Sequence, residues 1–256
     1  MDLELDGRTI IVTGGTDGLG LALAERLLRE GANVAVCGRD QTRLDNTAHA
    51  LGALGPLLAL RADVTVPDDL RRLVDTATTR FGGLDGIVNN AAQSSTGPFE
   101  SHSDDTWIAD LELKVMAAVR LIRLALPHLR QSTAPSVVNV LNTGARAPWV
   151  HSLPTTASRA AGLSLTKVLA AELGPEGIRV NAVLIGVIES GQIRRAAERG
   201  GVSIGEYAAA AATTIPLGRI GRAEEFGDLG AFLLSKRASF VTGAAINLDG
   251  GQSPIP

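Results

Sequence analysis

Few residues in this 256-residue chain can carry proton chemistry. Lysine occurs at 114, 167 and 236 only, and tyrosine once, at 207. A donor pair built from a tyrosine and a nearby lysine has few ways to be assembled from that supply. The single cysteine, Cys37, excludes an intramolecular disulfide and a cysteine-cluster metal centre. Histidines 49, 102, 128 and 151 lack the spacing of a helical metal-ligand motif, so no metal is expected. The run Thr13-Gly-Gly-Thr-Asp-Gly-Leu-Gly20 offers different chemistry. Its glycines permit a tight turn and the close approach of a pyrophosphate. The helix that follows presents free N–H donors and the positive end of its dipole. The plain alternative is a βα turn with no ligand, but the strand before it and the helix after it are what a phosphate-binding turn requires.

The elements that must position these residues alternate regularly. Short β-rich runs are expected at 9–13, 33–37, 57–61, 84–88, 137–141, 178–184 and 244–248. Between them lie helical patterns. Residues 19–30 carry apolar side chains at 19, 23, 27 and 28 and close at Gly31. A polar helix over about 40–51 follows. Pro67-Asp-Asp opens another that runs to 80, with acids suited to a first turn. Further helices are predicted over about 104–130, 156–173 (stopped by Gly174-Pro175) and 222–235. Residues 189–214 are rich in Ala, Arg and Gly and poorly periodic, and read as mobile helices of a substrate lid. Strand and helix alternating throughout predicts an α/β fold, a doubly wound parallel sheet with helices on both faces, in a single domain over 1–256.

Composition agrees with that class. Hydrophobic residues at 45% and charged residues at 20% exclude a disordered chain. A formal charge of -3 gives no bulk attraction to nucleic acid or membrane. No apolar run reaches membrane-spanning length, and Met1-Asp-Leu-Glu-Leu-Asp6 lacks a signal-peptide pattern. A soluble, cytoplasmic protein with no nucleic-acid or membrane partner is expected.

Several motifs, in order along nearly the whole chain, resemble the short-chain dehydrogenase/reductase family. They are Thr13-Gly14-x-x-x-Gly18-x-Gly20, Asp63-Val64, Asn89-Asn90-Ala91-Ala92, Gly177-Ile-Arg-Val-Asn181-Ala182, and Thr242-Gly243 with Asn247-Leu-Asp249-Gly-Gly251. The resemblance implies a Rossmann-like sheet of about seven strands, in an oxidoreductase that binds NAD(P) across the strand C-termini and a small-molecule substrate beside it. It also implies a homo-oligomer, tetramer or dimer, with the last helix and strand at subunit contacts. Carried over by position, Gly14, Thr16, Asp17, Gly18, Leu19 and Gly20 would form the pyrophosphate turn. Asp63 and Val64 would face adenine, and Asn90 and Ala91 would lie along a ribose. After the second strand stands Arg39, whose guanidinium suits a 2′-phosphate and favours NADP(H) over NAD(H). Asp17 opposes that choice, because an acid there repels a nearby phosphate.

The catalytic positions depart from the family. Its proton-transferring Tyr-x-x-x-Lys falls on Thr155-Thr-Ala-Ser-Arg159, so Thr155 replaces the Tyr and Arg159 the Lys. Asn142 occupies the Ser position and Lys114 the Asn position, and the usual Pro-Gly after the sixth strand reads Ile185-Gly186. A threonine hydroxyl is a far weaker acid than a phenol, and an arginine cannot relay a proton as a lysine can. Lys114 is expected to be partly buried with a lowered pKa, able to donate a proton, form a Schiff base or hold an anion. His151, four residues before Thr155, is a second acid–base candidate, and Arg146 is a neighbour of the same pocket. Tyr207 falls in the lid and is expected to pack there.

Two functions remain open. In the first, NAD(P)H reduces a carbonyl, Lys114 or His151 supplies the proton, and Asn142 and Thr155 hydrogen-bond the oxygen. In the second, hydride chemistry is lost and the dinucleotide turn is an inherited fold feature with no functional cofactor. The pocket with Lys114, Arg159 and Arg146 then binds an anionic or enolisable ligand. It catalyses isomerisation, elimination or decarboxylation, or only binds.

Overall fold

The computed structural model describes residues 2–255. Its order is β1 (Thr9–Thr13), α1 (Gly18–Arg29), β2 (Asn33–Gly38), α2 (Gln41–Leu51), β3 (Leu57–Arg61), α3 (Pro67–Phe81), β4 (Gly86–Asn89), β5 (Thr96–Gly97), α4 (Asp104–Leu111), α5 (Ala117–Leu129), β6 (Ser136–Asn142), β7 (Leu153–Pro154), α6 (Thr155–Leu173), β8 (Arg179–Ile185), α7 (Gly191–Arg199), α8 (Ile204–Ala212), α9 (Ala223–Leu234) and β9 (Ala245–Leu248). Seven strands pair in the order β3-β2-β1-β4-β6-β8-β9, all in parallel.

The chain winds outward from β1 to β3 and then returns to place β4 on the other side of β1. That reversal opens a crevice beyond the C-terminal ends of β1 and β4, where α/β sheets of this kind bind ligands. Both faces of the sheet are covered, so its strands read as continuous apolar runs. Side chains alternate between two layers. Ile10, Val12, Val34, Val36, Val88 and Val138 pack against Leu23 and Leu27 of α1 and Phe226 of α9. Ile11, Ala35, Ile87, Val137 and Val180 face Leu70 and Leu73 of α3, Leu121 of α5 and Leu173 of α6. Together they make one Rossmann-like α/β domain.

Two features depart from the sequence expectation. The helix expected over 104–130 is interrupted by a π turn, Glu112–Met116, between α4 and α5. β5 and β7 form a small antiparallel sheet beside the site, which the period of two could not signal in two-residue strands. α6 begins at Thr155, so the threonine in the tyrosine position is the first helical residue. α7 and α8 occupy the segment expected to form the lid.

Candidate functional site

The turn between β1 and α1 is built for close approach. Gly14 has φ +66°, and a Cβ there would sit 3.0 Å from the Ala91 Cα. Gly18 also takes a positive φ, +50°. Thr13 and Asn90 lock this turn to the end of β4. The Thr13 hydroxyl donates to the Val88 carbonyl at 3.1 Å and accepts from the Asn90 and Ala91 amides, each at 3.0 Å. The Asn90 side chain donates to the carbonyls of Thr13 at 2.8 Å and Gly14 at 3.1 Å. Asn90 thus serves as a brace between two strand ends. Leu19 is 8% exposed and belongs to the core, so only its backbone could meet a ligand. No side chain caps the first turn of α1, whose N–H groups are left for another acceptor. Thr16 sits half-buried beside Gly38, at the end of β2.

Asp17 is paired. Its carboxylate meets Arg194 of α7 at 2.9 Å and Arg43 of α2 at 3.6 Å. The charge expected to repel a phosphate is therefore offset by two guanidiniums. The same pair ties α7 to the glycine turn.

Beyond the ends of β2 and β3 lies an open cavity of about 420 Å³ bounded by Arg39, Arg61, Asp63, Asp69 and Arg72. Arg39 is exposed and approaches Asp63 at 3.8 Å. Arg61 donates from Nε to the Arg39 carbonyl at 3.1 Å, and Arg72 donates to the Arg61 carbonyl at 2.7 Å. Asp69 accepts from the Asp63 amide at 2.8 Å, a bond that holds the Asp69 carboxyl below its ordinary pKa. Val64 is buried just behind. The sequence does not single out Arg61, at the end of β3, and Arg71-Arg72 read there as a solvated helix face; the fold brings Arg61 and Arg72 to one cavity.

Three of the four catalytic positions meet at the π turn. Lys114 and Thr155 are buried, and Lys114 Nζ donates to Thr155 Oγ1 at 2.8 Å. The Thr155 hydroxyl also accepts from the Ser95 amide at 3.0 Å and donates to the Ser95 carbonyl at 2.7 Å. Its bonding capacity is filled, so Thr155 pins the loop before β5 and leaves no hydrogen for a substrate oxygen. This corrects the expectation that Thr155 bonds a carbonyl. Arg159, from the next turn of α6, donates to the Val140 carbonyl at 2.7 Å.

Lys114 also meets Asp110 of α4, a buried acid that the sequence reading missed. The pair is spaced i, i+4 on a helix, which is the signal that could have found it. Ser158 donates to the other carboxylate oxygen of Asp110 at 2.6 Å. Burial pulls the Lys114 pKa down to about 8. The hydrogen bond and charge of Asp110 oppose the fall, and Arg159 adds to it. Burial likewise lowers Arg159 to about 10, against the charge of Asp110.

Asn142 ends β6, and its Oδ1 is buried without a hydrogen-bond partner. His151 is exposed, with a left-handed φ of +62°, and lies outside the Lys114 network. Arg146 donates to the Ala245 carbonyl at 3.2 Å, on β9. Tyr207 sits half-buried in α8. Cys37 is fully buried and its thiol is pushed up to about 12, so it is inert at neutral pH. Among the described residues no cluster of three or more His, Cys, Asp or Glu could hold a metal, and no helix is long and apolar enough to cross a membrane.

Comparison with known proteins accords with this geometry. Residues 14–253 match a family model described as enoyl-(acyl carrier protein) reductase. A 3beta-hydroxysteroid dehydrogenase 1 from Eggerthella lenta is 34% identical, over 99% of this chain and 96% of its own. An NADPH-bound short chain oxidoreductase from Pseudomonas aeruginosa, described as containing an atypical catalytic center, is 35% identical with a TM-score of 0.92. The match covers 97% of this chain and 98% of that one. L-sorbose reductase from Gluconobacter frateurii, solved with NADPH and L-sorbose, is 30% identical with a TM-score of 0.94 over the full length of both. In sequence over its full length, and in a sheet whose strand order and glycine turn meet at one crevice, the chain belongs to the short-chain dehydrogenase/reductase family.

Proposed function

We propose that the protein is an NADP(H)-dependent oxidoreductase that interconverts a carbonyl and a hydroxyl on a small molecule, with Lys114 as its proton source. The observation that carries this reading is the placement of Lys114. It takes the family's Asn position but reaches Thr155, in the Tyr position, at 2.8 Å. A proton-bearing group therefore stands beside the residue that replaces the family's tyrosine.

The residues present fit the dinucleotide. Gly14 would be filled by a Cβ, and the first turn of α1 has N–H groups without side-chain caps. Gly14, Thr16, Gly18, Gly20 and the Leu19 backbone would take the pyrophosphate. Asp63 and Val64 would take the adenine, Asn90 and Ala91 a ribose, and Arg39 with Arg61 a 2′-phosphate. When bound, the nicotinamide supplies or accepts hydride. The chain's part is the proton: Lys114 gives it to the oxygen formed on reduction and recovers it on oxidation. With a pKa near 8, Lys114 is largely protonated at neutral pH yet acidic enough to donate. Asn142 Oδ1, an acceptor without a partner, would orient a substrate hydroxyl.

The redox-neutral reading needs an anion between Lys114 and Arg159. The cavity they share is about 20 Å³, so in either reading a substrate oxygen reaches Lys114 only if the site opens. What favours the oxidoreductase is the fit of the glycine turn to a dinucleotide. We also place the protein in the cytoplasm as a homo-oligomer. Exposed Ile108 and Leu111 on α4 and Val168 on α6 supply apolar surface for a second copy.

The test is K114M with NADPH and an active carbonyl substrate. Turnover should fall at least about 100-fold, the usual share of a general acid. Unchanged turnover would remove Lys114 from the mechanism.

A further inference from the structure

Lys114 could not stay charged without help. Its side chain has no exposure, and an isolated ammonium in such a place would shed its proton. The compensating charge comes from Asp110, one turn earlier and equally enclosed. One Asp110 oxygen receives Lys114 Nζ. The other receives the Ser158 hydroxyl at 2.6 Å, and that hydroxyl lies 2.9 Å from the Thr155 carbonyl. The end of α4, the π turn and the first turn of α6 thus converge on one carboxylate. The charged groups facing Lys114 are Asp110 from α4 and Arg159 from α6. β4 and β6 contribute the neutral Asn89 and Asn139, and α5 the apolar Ala117 and Ala118.

We propose that Asp110 is the positioning residue of this site: one of its oxygens fixes the Lys114 ammonium beside Thr155, and the other is anchored by Ser158. The proposal rests on Lys114 being the proton source, and it assigns Asp110 and Ser158 roles that the family's motifs do not carry. Burial and Arg159 both drive the Lys114 proton off, and Asp110 is the group that holds it on. Replacing the carboxylate by its isosteric amide leaves those two effects unopposed. The lysine would then be at least half neutral at pH 7, and a poorer proton source for it.

The three lysines make a direct test possible. Protein labelled with 13C-lysine gives three Cε signals, and K114M identifies one of them. In the wild type the Lys114 signal should titrate near pH 8. In D110N it should move down by about one pH unit or more, a tenfold loss of proton affinity. In S158A it should move the same way by less, since the carboxylate remains but its anchor is gone. A Lys114 signal that titrates alike in D110N and wild type overturns the proposal. If D110N does not fold, S158A decides: a Lys114 titration unchanged by loss of the anchor also overturns it. No substrate is present in this experiment. Failure of the proton-source reading would show separately, as NADPH oxidation that survives K114M while Lys114 still follows Asp110.

Discussion

The residue that most needs an energetic account is Lys114, because a buried ion pair is costly to assemble. Desolvation of two charges can exceed their attraction, so such pairs are kept for specificity or function more readily than for stability. This cost has a pH signature. The folded-state pKa of Lys114 is near 8, below the ordinary 10.5. Between those values the unfolded chain holds a proton that the folded protein has released, so stability rises with pH across that window. Against D110N/K114M, which removes both charges and keeps the shape, the wild type should gain about 3 kcal/mol between pH 8 and 10.5. Denaturant unfolding at several pH values measures the difference. A flat difference would mean that Lys114 titrates normally. At this scale the sequence was partly legible. Lys114 stood out because lysine is rare here, and its inward register followed from the family's motifs. Asp110 did not stand out. Its role needs Ser158, which comes 48 residues later in the chain and meets Asp110 only after α6 has packed on α4. Thr155 was misjudged for a similar reason. Only the folded loop shows that Ser95 consumes its hydroxyl.

At the scale of elements, the strand–turn–helix units were readable because their signals are local: apolar runs, glycine turns and Pro67 at a helix start. The π turn was not. Inserting one residue into a turn leaves the apolar period of the flanking helices intact, while it changes which side chain points inward. The βα turns also decide the cofactor. Asp17 argued against a phosphate in sequence, yet in the fold it is occupied by Arg194 and Arg43. Arg39, Arg61 and Arg72 rim the cavity past β2 and β3, against Asp63 and Asp69. Fluorescence titration should therefore show NADPH binding at least about tenfold more tightly than NADH, with R39A/R61A erasing the difference by weakening NADPH alone. A tenfold ratio is about 1.4 kcal/mol, within reach of charge-assisted bonds to one phosphate. Equal affinities in the wild type would refute this assignment. No saturable binding of any dinucleotide would refute the cofactor itself.

At the scale of the whole molecule, the site depends on contacts that lie far from it. α1 carries the glycine turn and must sit close to the sheet, and its other side is held by α9. Gly227 and Gly230 make that approach possible although glycine weakens a helix interior by about 1 kcal/mol relative to alanine. A Cβ on Gly230 would already lie 3.0 Å from Leu23 Cδ1, and one on Gly227 would lie 3.1 Å from the Ala22 carbonyl. The end of α9 is fastened in turn by two buried arginines. Arg8 donates to the Leu234 carbonyl at 2.6 Å, and Arg179 to those of Leu233 at 2.8 Å and Ser235 at 3.1 Å. These cations close the negative end of the helix and satisfy carbonyls that no helical N–H reaches. The two devices make α9 a rigid backing, so α1 cannot yield to a larger side chain by pushing it outward. G230V should accordingly cost about 1–3 kcal/mol through overpacking against Leu23. For a domain of this size, that lowers the melting temperature by several degrees. Because α1 is the element displaced, dinucleotide affinity should weaken together with stability. A G230V protein that melts like the wild type would show that α9 gives way after all, and that the glycine turn is held in place by the sheet alone.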